Sequence, residues 1–272
     1  MRLRDLVVHA GLVATSLLTL FPALWVVSMA FRPSQSFDTS LLPIPEVISL
    51  DNFRDLFARP HFFRQLGNSL LVAGLTTAIG VMFSCTAAYA FSRFRFPGRR
   101  AGLLALLVTQ MFPGTLMLIP LYALIESLGL LNRSAGLVLV YSTTAIPFCV
   151  WNLKGYFDTL PRELEESAMM DGAGPFVVFW RIVLPLSRPA IAVTALFSFL
   201  TAWNEFILAA TFLSEEQAYT LPVTVQSFVG AFSTEWGHFA AGALVVSLPV
   251  MAVFFALQRH LVGGLTAGGV KG

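Results

Sequence analysis

Charge is scarce in this chain. Only 12% of its 272 residues are Asp, Glu, Lys or Arg, against 56% apolar. A soluble domain of this length needs far more charged surface, so a water-exposed globule is excluded. Cysteine is nearly absent. Cys85 and Cys149 both fall inside apolar runs, where a structural disulfide has no place, and they are silent on redox compartment. The histidines His9, His61, His238 and His260 are scattered and show no metal-ligand spacing. No G-x-x-x-x-G-K-S/T occurs, so the chain has no phosphate-binding loop of its own. Gly67-Asn68-Ser69-Leu70 lacks the second glycine of a nucleophile elbow. The glycines of 263–272 follow no strand and precede no helix.

What the chain does have is apolar runs of roughly twenty residues, the length that crosses a bilayer as a helix. Six are expected, at about 7–31, 68–91, 101–125, 135–153, 189–212 and 238–262. The fold class is therefore all-α membrane protein, one domain of six transmembrane helices. The first run follows Met1-Arg2-Leu3-Arg4 but is too long for a signal peptide and has no small-residue cleavage site, so it reads as a retained span. In the loop after it, residues 50–57 place apolar side chains at helical spacing with Asp51 as a possible cap, which suggests a helix along the membrane interface.

Loops at alternate positions share a side. One side collects Arg2, Arg4, Arg93, Arg95, Arg99, Arg100, Lys154, Arg162, Arg181, Arg188, Arg259 and Lys271. The other holds Arg32, Arg54, Arg59, Arg64 and Arg133. The richer side is expected to be cytoplasmic, with both termini. The basic turn 93–100 is read as a topology determinant beside lipid headgroups rather than a nucleic-acid patch.

The loop 154–188 is long, polar and punctuated. Asp158 or Thr159 can cap a helix, Pro161 suits its first turn, and Glu163, Glu165 and Glu166 lie at the positive end of its dipole. Gly172 and Gly174-Pro175 stop it, and a second helix from Phe176 to Leu184 is expected to end at Pro185. Helix, glycine turn and apolar helix between two spans make either a docking knob or an ordinary loop.

These residues carry a resemblance. Glu166-Ser167-Ala168, Gly172, Ile182 and Leu184-Pro185 resemble the EAA signature of ABC importer permeases, with the spacing met throughout and Ser167 in place of an alanine. In that family the loop is a coupling helix seated in a groove of a cytoplasmic ATPase, which implies coupling roles for Glu166, Ser167, Ala168, Asp171, Gly172, Ile182, Leu184 and Pro185. The resemblance extends over nearly the whole chain. Its ending, Gly264 to Gly272, is similar to that of MalG-type permeases for maltose and related sugars. A type I ABC importer permease fold is thereby implied. The implied partners are a MalF-like second permease, two ATPase subunits and an extracytoplasmic sugar-binding protein, in a prokaryotic inner or plasma membrane. ATP and Mg belong to the partner ATPase, and no cofactor to this chain. Maltose or maltodextrin is the leading substrate, ahead of trehalose and other oligosaccharides.

Within the spans two clusters are candidates for the substrate pathway. Trp203-Asn204-Glu205 either lines a cavity or fixes helix packing; similar sugar permeases carry a Trp-Asn followed by an acidic residue here. Tyr141-Ser142-Thr143-Thr144 either lines the pathway or bonds back to its own helix. Pro113-Gly114 is an expected break in the third span, as a hinge or a packing bend. The tail residues Gly268, Gly269 and Lys271 either end the chain without contact or insert between the ATPase subunits. A secondary transporter is the competing class, but no repeat is visible and Glu205 is the only clear intramembrane carrier. An intramembrane protease lacks a catalytic pair.

Overall fold

The structure is a computed structural model that describes residues 3–37, 44–45, 47–230 and 232–269. Among them the regular structure is helical, apart from one antiparallel bridge between Val229 and Thr234. In chain order the α-helices are α1 (Leu3–Ala30), α2 (Asp51–Ala58), α3 (Phe62–Arg93), α4 (Arg99–Met111), α5 (Leu118–Ser127), α6 (Ser134–Thr159) and α7 (Glu163–Met170). There follow α8 (Pro175–Val178), α9 (Leu184–Leu186), α10 (Arg188–Asn204), α11 (Ile207–Phe212), α12 (Leu221–Gln226) and α13 (Trp236–Gly269). Four stretches are long and apolar enough to cross a bilayer unbroken, namely Asp5–Ala30, Phe62–Arg93, Ser134–Thr159 and Trp236–Arg259. Two bent pairs, Arg99–Met111 with Gly114–Ser127 and Pro175–Leu186 with Arg188–Asn204, raise the number to as many as six where each pair counts as one span.

The breaks have local causes. At the first, Phe112 is extended, with φ −76° and ψ 126°, because the residue before a proline avoids the helical region. The chain turns 95° there and resumes as a 3-10 turn, Gly114–Met117. The expected interruption at Pro113-Gly114 is thus a sharp corner. The second pair bends by 77° around Ser187, and Pro189 opens α10 in its first turn, where a missing N–H costs nothing.

Several boundaries differ from the expectations. The fifth span is not one helix over 189–212: α10 ends at Asn204, Glu205 is extended with φ −70° and ψ 123°, and α11 starts afresh at Ile207. Pro185 does not end the second loop helix but sits inside it. Residues Phe179–Val183 widen to a π-turn directly before it, which relieves the missing N–H and ring clash that proline brings to a regular helix. At the C-terminal end the last helix continues through Gly263 to Gly269, including Gly268 and Gly269, rather than stopping at 262. Lys271 lies outside the described residues.

By their internal contacts the residues fall into two compact units. In the first, Met1–Gln65 with Leu221–Pro249, the organising side chain is Asn52, 1% exposed. Its amide donates to the carbonyls of Ala30 (3.0 Å) and Arg32 (2.6 Å) and its oxygen accepts from Gln35 Nε2 (2.6 Å), which ties α2 to the end of α1. Asp51 is not the cap of α2 but its first residue. Ser49 Oγ accepts from the Asp51 N–H (3.0 Å) and donates to the Asp51 carboxylate (2.6 Å).

In the second unit, Leu66–Thr220 with Val250–Gly272, helices pack through small residues and polar bonds. Lipid is as apolar as leucine, so close backbone approach and hydrogen bonding replace the hydrophobic drive. A Cβ on Gly80 of α3 would stand 3.3 Å from Ser198 Oγ of α10. Asn152 of α6 donates to Thr194 Oγ1 of α10 (2.8 Å). Ala88, Ala190, Ala192 and Ala202 are all buried.

A candidate coupling knob and a broken span

The loop between α6 and α10 is built as a knob with a buried side and an exposed side. Its first helix, α7, starts at Glu163, and Arg162 stands at the cap position without a side-chain capping bond. Asp158 and Thr159 do not cap it, because α6 runs on through Thr159. The end of α7 follows from Gly172. With φ +88° it reverses the chain, its N–H donates to Met169 O (3.0 Å), and the Ala173 N–H reaches Ala168 O (3.0 Å). That pair of bonds is the Schellman arrangement, which satisfies carbonyls a helix end leaves free. Nothing lies within 4 Å of a Cβ built at Gly172, so the position demands glycine for its backbone angle and not for space.

The underside is held in two ways. Val178, Phe179 and Val183 are buried with Cys85 and Ala88 of α3, Val150, Leu153 and Phe157 of α6, and Ala190 of α10. Each large side chain so buried contributes about 1.5–3 kcal/mol where the alternative is water. The second anchor is ionic. Arg93 Nε of α3 stands 2.6 Å from Glu165 Oε1 of α7, with both side chains only 8% exposed. The Tyr89 hydroxyl donates to Glu165 Oε2 (3.0 Å). Arg93 also donates to Leu160 O (3.3 Å) and Ser92 Oγ (3.0 Å), and Ser92 donates to Asp158 (2.6 Å). The ends of α3 and α6 are thereby joined to α7.

Glu165 and Arg93 therefore do more than their sequence reading assigned them. The sequence groups Glu165 with Glu163 and Glu166 as dipole compensation, and Arg93 with the basic turn. Nothing local separates Glu165 from its neighbours, since the distinction is which carboxylate meets α3.

The other side of the knob is free. Glu166, Ser167, Asp171 and Gly172 are exposed, and Ala168, Ile182 and Leu184 are half-buried; Pro185 is exposed. Large apolar side chains stand out beside them, Met170 at 89% and Phe176 at 73% exposure. The EAA residues thus belong to one short structure, with Glu166, Asp171 and Gly172 outward and Ile182 and Leu184 against its base.

The two pathway clusters meet only in part. Trp203 is buried and stacks on Phe199 at 5.5 Å, Asn204 is exposed, and Glu205 is half-buried, so the three do not form one face. Glu205 occupies the gap between α10 and α11. Its carboxylate accepts from the Leu208 N–H (2.9 Å), the Ala209 N–H (3.1 Å) and the Tyr141 hydroxyl (2.6 Å). From the position before the cap residue Phe206 it satisfies two free N–H groups in the first turn of α11, and it ties the break to α6. Thr143 and Thr144 donate back to Val140 O (2.7 Å) and Tyr141 O (2.9 Å) of their own helix. Ser142 is buried, and its hydroxyl has no partner among the described residues.

With three hydrogen bonds holding Glu205 in the structure, Glu205→Gln is expected to lower complex stability by about 1.5–3 kcal/mol, the scale of hydrogen bonds to a charged group. Uptake per surviving complex should stay near wild type. Thermal melting of the purified complex beside normalised uptake checks this. Unchanged melting with lost uptake would turn the assignment round.

Residues 62–266 match the family described as binding-protein-dependent transport system inner membrane component. The chain is 40% identical over 281 residues to the maltose/maltodextrin transport system permease protein MalG of Vibrio vulnificus, covering 97% of this chain and 95% of that one. It is 36% identical over 255 residues to the trehalose transport system permease protein SugB of Mycobacterium tuberculosis, covering 93% of each. Among solved structures, a bacterial ABC transporter involved in the import of the acidic polysaccharide alginate matches with a TM-score of 0.79 at 23% identity, over 95% of this chain and 96% of that one. The last likeness bears on the fold alone. The chain belongs to the family of binding-protein-dependent transport system inner membrane components, as a MalG-type permease of sugar ABC importers.

Proposed function

We propose that this chain forms half of the translocation pathway of a maltodextrin importer, beside a MalF-like permease, and passes the motion of two ATPase subunits to the spans through the α7 knob. ATP and Mg are bound by those subunits, and an extracytoplasmic binding protein delivers the sugar. The carrying observation is the knob itself. Its underside is fastened to α3 and α6 by an apolar cluster and the Arg93–Glu165 pair, while Glu166, Met170 and Phe176 face outward. A part so fastened transmits a push to the spans instead of folding away from it. Alternating access then needs the closed ATPase to favour one arrangement of the spans over the other.

The sidedness comes from the arginine and lysine count, which puts the knob and both termini in the cytoplasm. Maltodextrin as substrate is supported by the MalG relatives; trehalose stands second through SugB. From the sequence we also place the tail residues Gly268, Gly269 and Lys271 against the ATPase subunits.

The test is reconstitution with the partner permease, ATPase and binding protein in proteoliposomes. Maltotriose-loaded binding protein is expected to stimulate ATP hydrolysis and uptake, and trehalose not to. Stimulation by trehalose alone overturns the sugar, and uptake without ATP overturns the class. The same assay on a chain lacking residues 266–272 is expected to show weaker coupling at normal insertion; full-length rates make the tail a passive end.

A further inference from the structure

A groove of about 400 Å³ runs along the second unit between α3 and α10, and its walls are almost wholly apolar. Thr77, Met82, Cys85 and Thr86 line it from α3, Ile191 and Ala195 from α10, with Trp180 at one end. Two dimensions say what fits. From Thr77 to Thr86 the helix rises about 13.5 Å at 1.5 Å per residue. One leaflet of the hydrocarbon core is about 15 Å deep. The groove is about as long as one leaflet is deep.

One end is marked by charge. Arg181 follows Trp180, and Arg188 lies on the same face of α10 as Ile191 and Ala195, at i, i+3 and i+7. Both arginines are exposed, and neither guanidinium has an ion pair or hydrogen bond among the described residues. An exposed Trp beside arginines at the end of apolar spans is the composition of a headgroup-level belt. Arginine forks match phosphate oxygens, and basic residues there are drawn to anionic lipid.

We propose that this groove is a binding site for one anionic phospholipid, an acyl chain lying between α3 and α10 and the phosphate held by Arg181 and Arg188. The inference rests on the chain spanning a membrane and needs neither the sugar nor the ATPase. Its seat links the lipid to the knob, because Trp180 and Leu184 form its wall and belong to the knob's second helix. A bound lipid would hold that helix against α3 and α10.

The test places a photoreactive benzophenone amino acid at Met82, which is 59% exposed at the groove, in the intact complex in vesicles of equal phosphatidylglycerol and phosphatidylethanolamine. The expected product has the mass of a phospholipid adduct, with phosphatidylglycerol preferred at least threefold. Arg181→Gln with Arg188→Gln should remove that preference, and Ala195→Phe should reduce both adducts by filling the groove. The exposed arginines carry the test if Ala195→Phe fails to assemble. A polypeptide-sized product, equal capture of both lipids, or a preference unchanged in the double arginine variant overturns the proposal. Because the readout is a lipid adduct, failed transport with intact labelling counts against the function above and not against the site.

Discussion

Arg93→Met is expected to loosen the coupling knob and uncouple the complex while leaving the chain in the membrane. Arg93 and Glu165 are both 8% exposed, and the guanidinium is the only cation the structure places on that carboxylate among the described residues. Removing one member strands a buried charge with a single Tyr89 hydroxyl for company, which costs about 3–5 kcal/mol. The Arg93 contacts to Leu160 O and Ser92 are lost as well. The melting temperature of the purified complex should fall, and stimulation of the ATPase by loaded binding protein should fall with it. Arg93→Met combined with Glu165→Met should recover most of the stability, because a buried pair exchanged for apolar residues of similar size is often neutral. The double-mutant cycle separates the pair's own coupling from the penalty of stranding a charge. Wild-type melting in both single variants would mean that the knob does not hang on this pair.

Gly172→Pro should give a complex that inserts but neither transports sugar nor answers its binding protein. Proline holds φ near −65° and has no N–H, whereas Gly172 sits at +88° and donates to Met169 O at 3.0 Å. The turn that directs the chain from α7 to α8 therefore cannot form. Gly172→Ala keeps the N–H and costs about 1–2 kcal/mol for the left-handed backbone alone, so an intermediate loss is expected. Glu166→Lys probes the same surface without touching the fold. Glu166 is exposed and its carboxylate makes no ion pair among the described residues, so reversal leaves the knob intact and changes only what a partner meets. Its complex should melt like wild type and lose co-purifying ATPase. Wild-type stimulation and co-purification in both variants would remove the knob from the mechanism.

Much of the knob is legible in the sequence because its signals are local. Gly172 stops α7 where the left-handed turn is needed, Pro175 begins the next helix, and the EAA spacing fits over both. The spans are legible for a similar reason, since a bilayer imposes one length and one composition. Other features leave no such trace. The break at Glu205 has no glycine or proline to announce it. It exists because a carboxylate takes over two amide hydrogens, from Leu208 and Ala209, and this becomes visible only once α11 is seen to restart. The reading of Pro185 as a stop fails because a preceding π-turn is a property of the folded backbone and has no side-chain signature.

By itself the sequence determined an all-helical membrane chain, the order of its spans, the family, and where a turn must be glycine. Each of these follows from interactions within a few residues or from the demand of lipid for apolar length. The tertiary structure decided which of three clustered glutamates is buried, which arginine meets it, and that Trp203, Asn204 and Glu205 part company. Those choices depend on residues far apart in the chain, Arg93 with Glu165 and Tyr141 with Glu205. Polar pairing across helices is set by which faces touch, and the order of residues along one helix does not contain that.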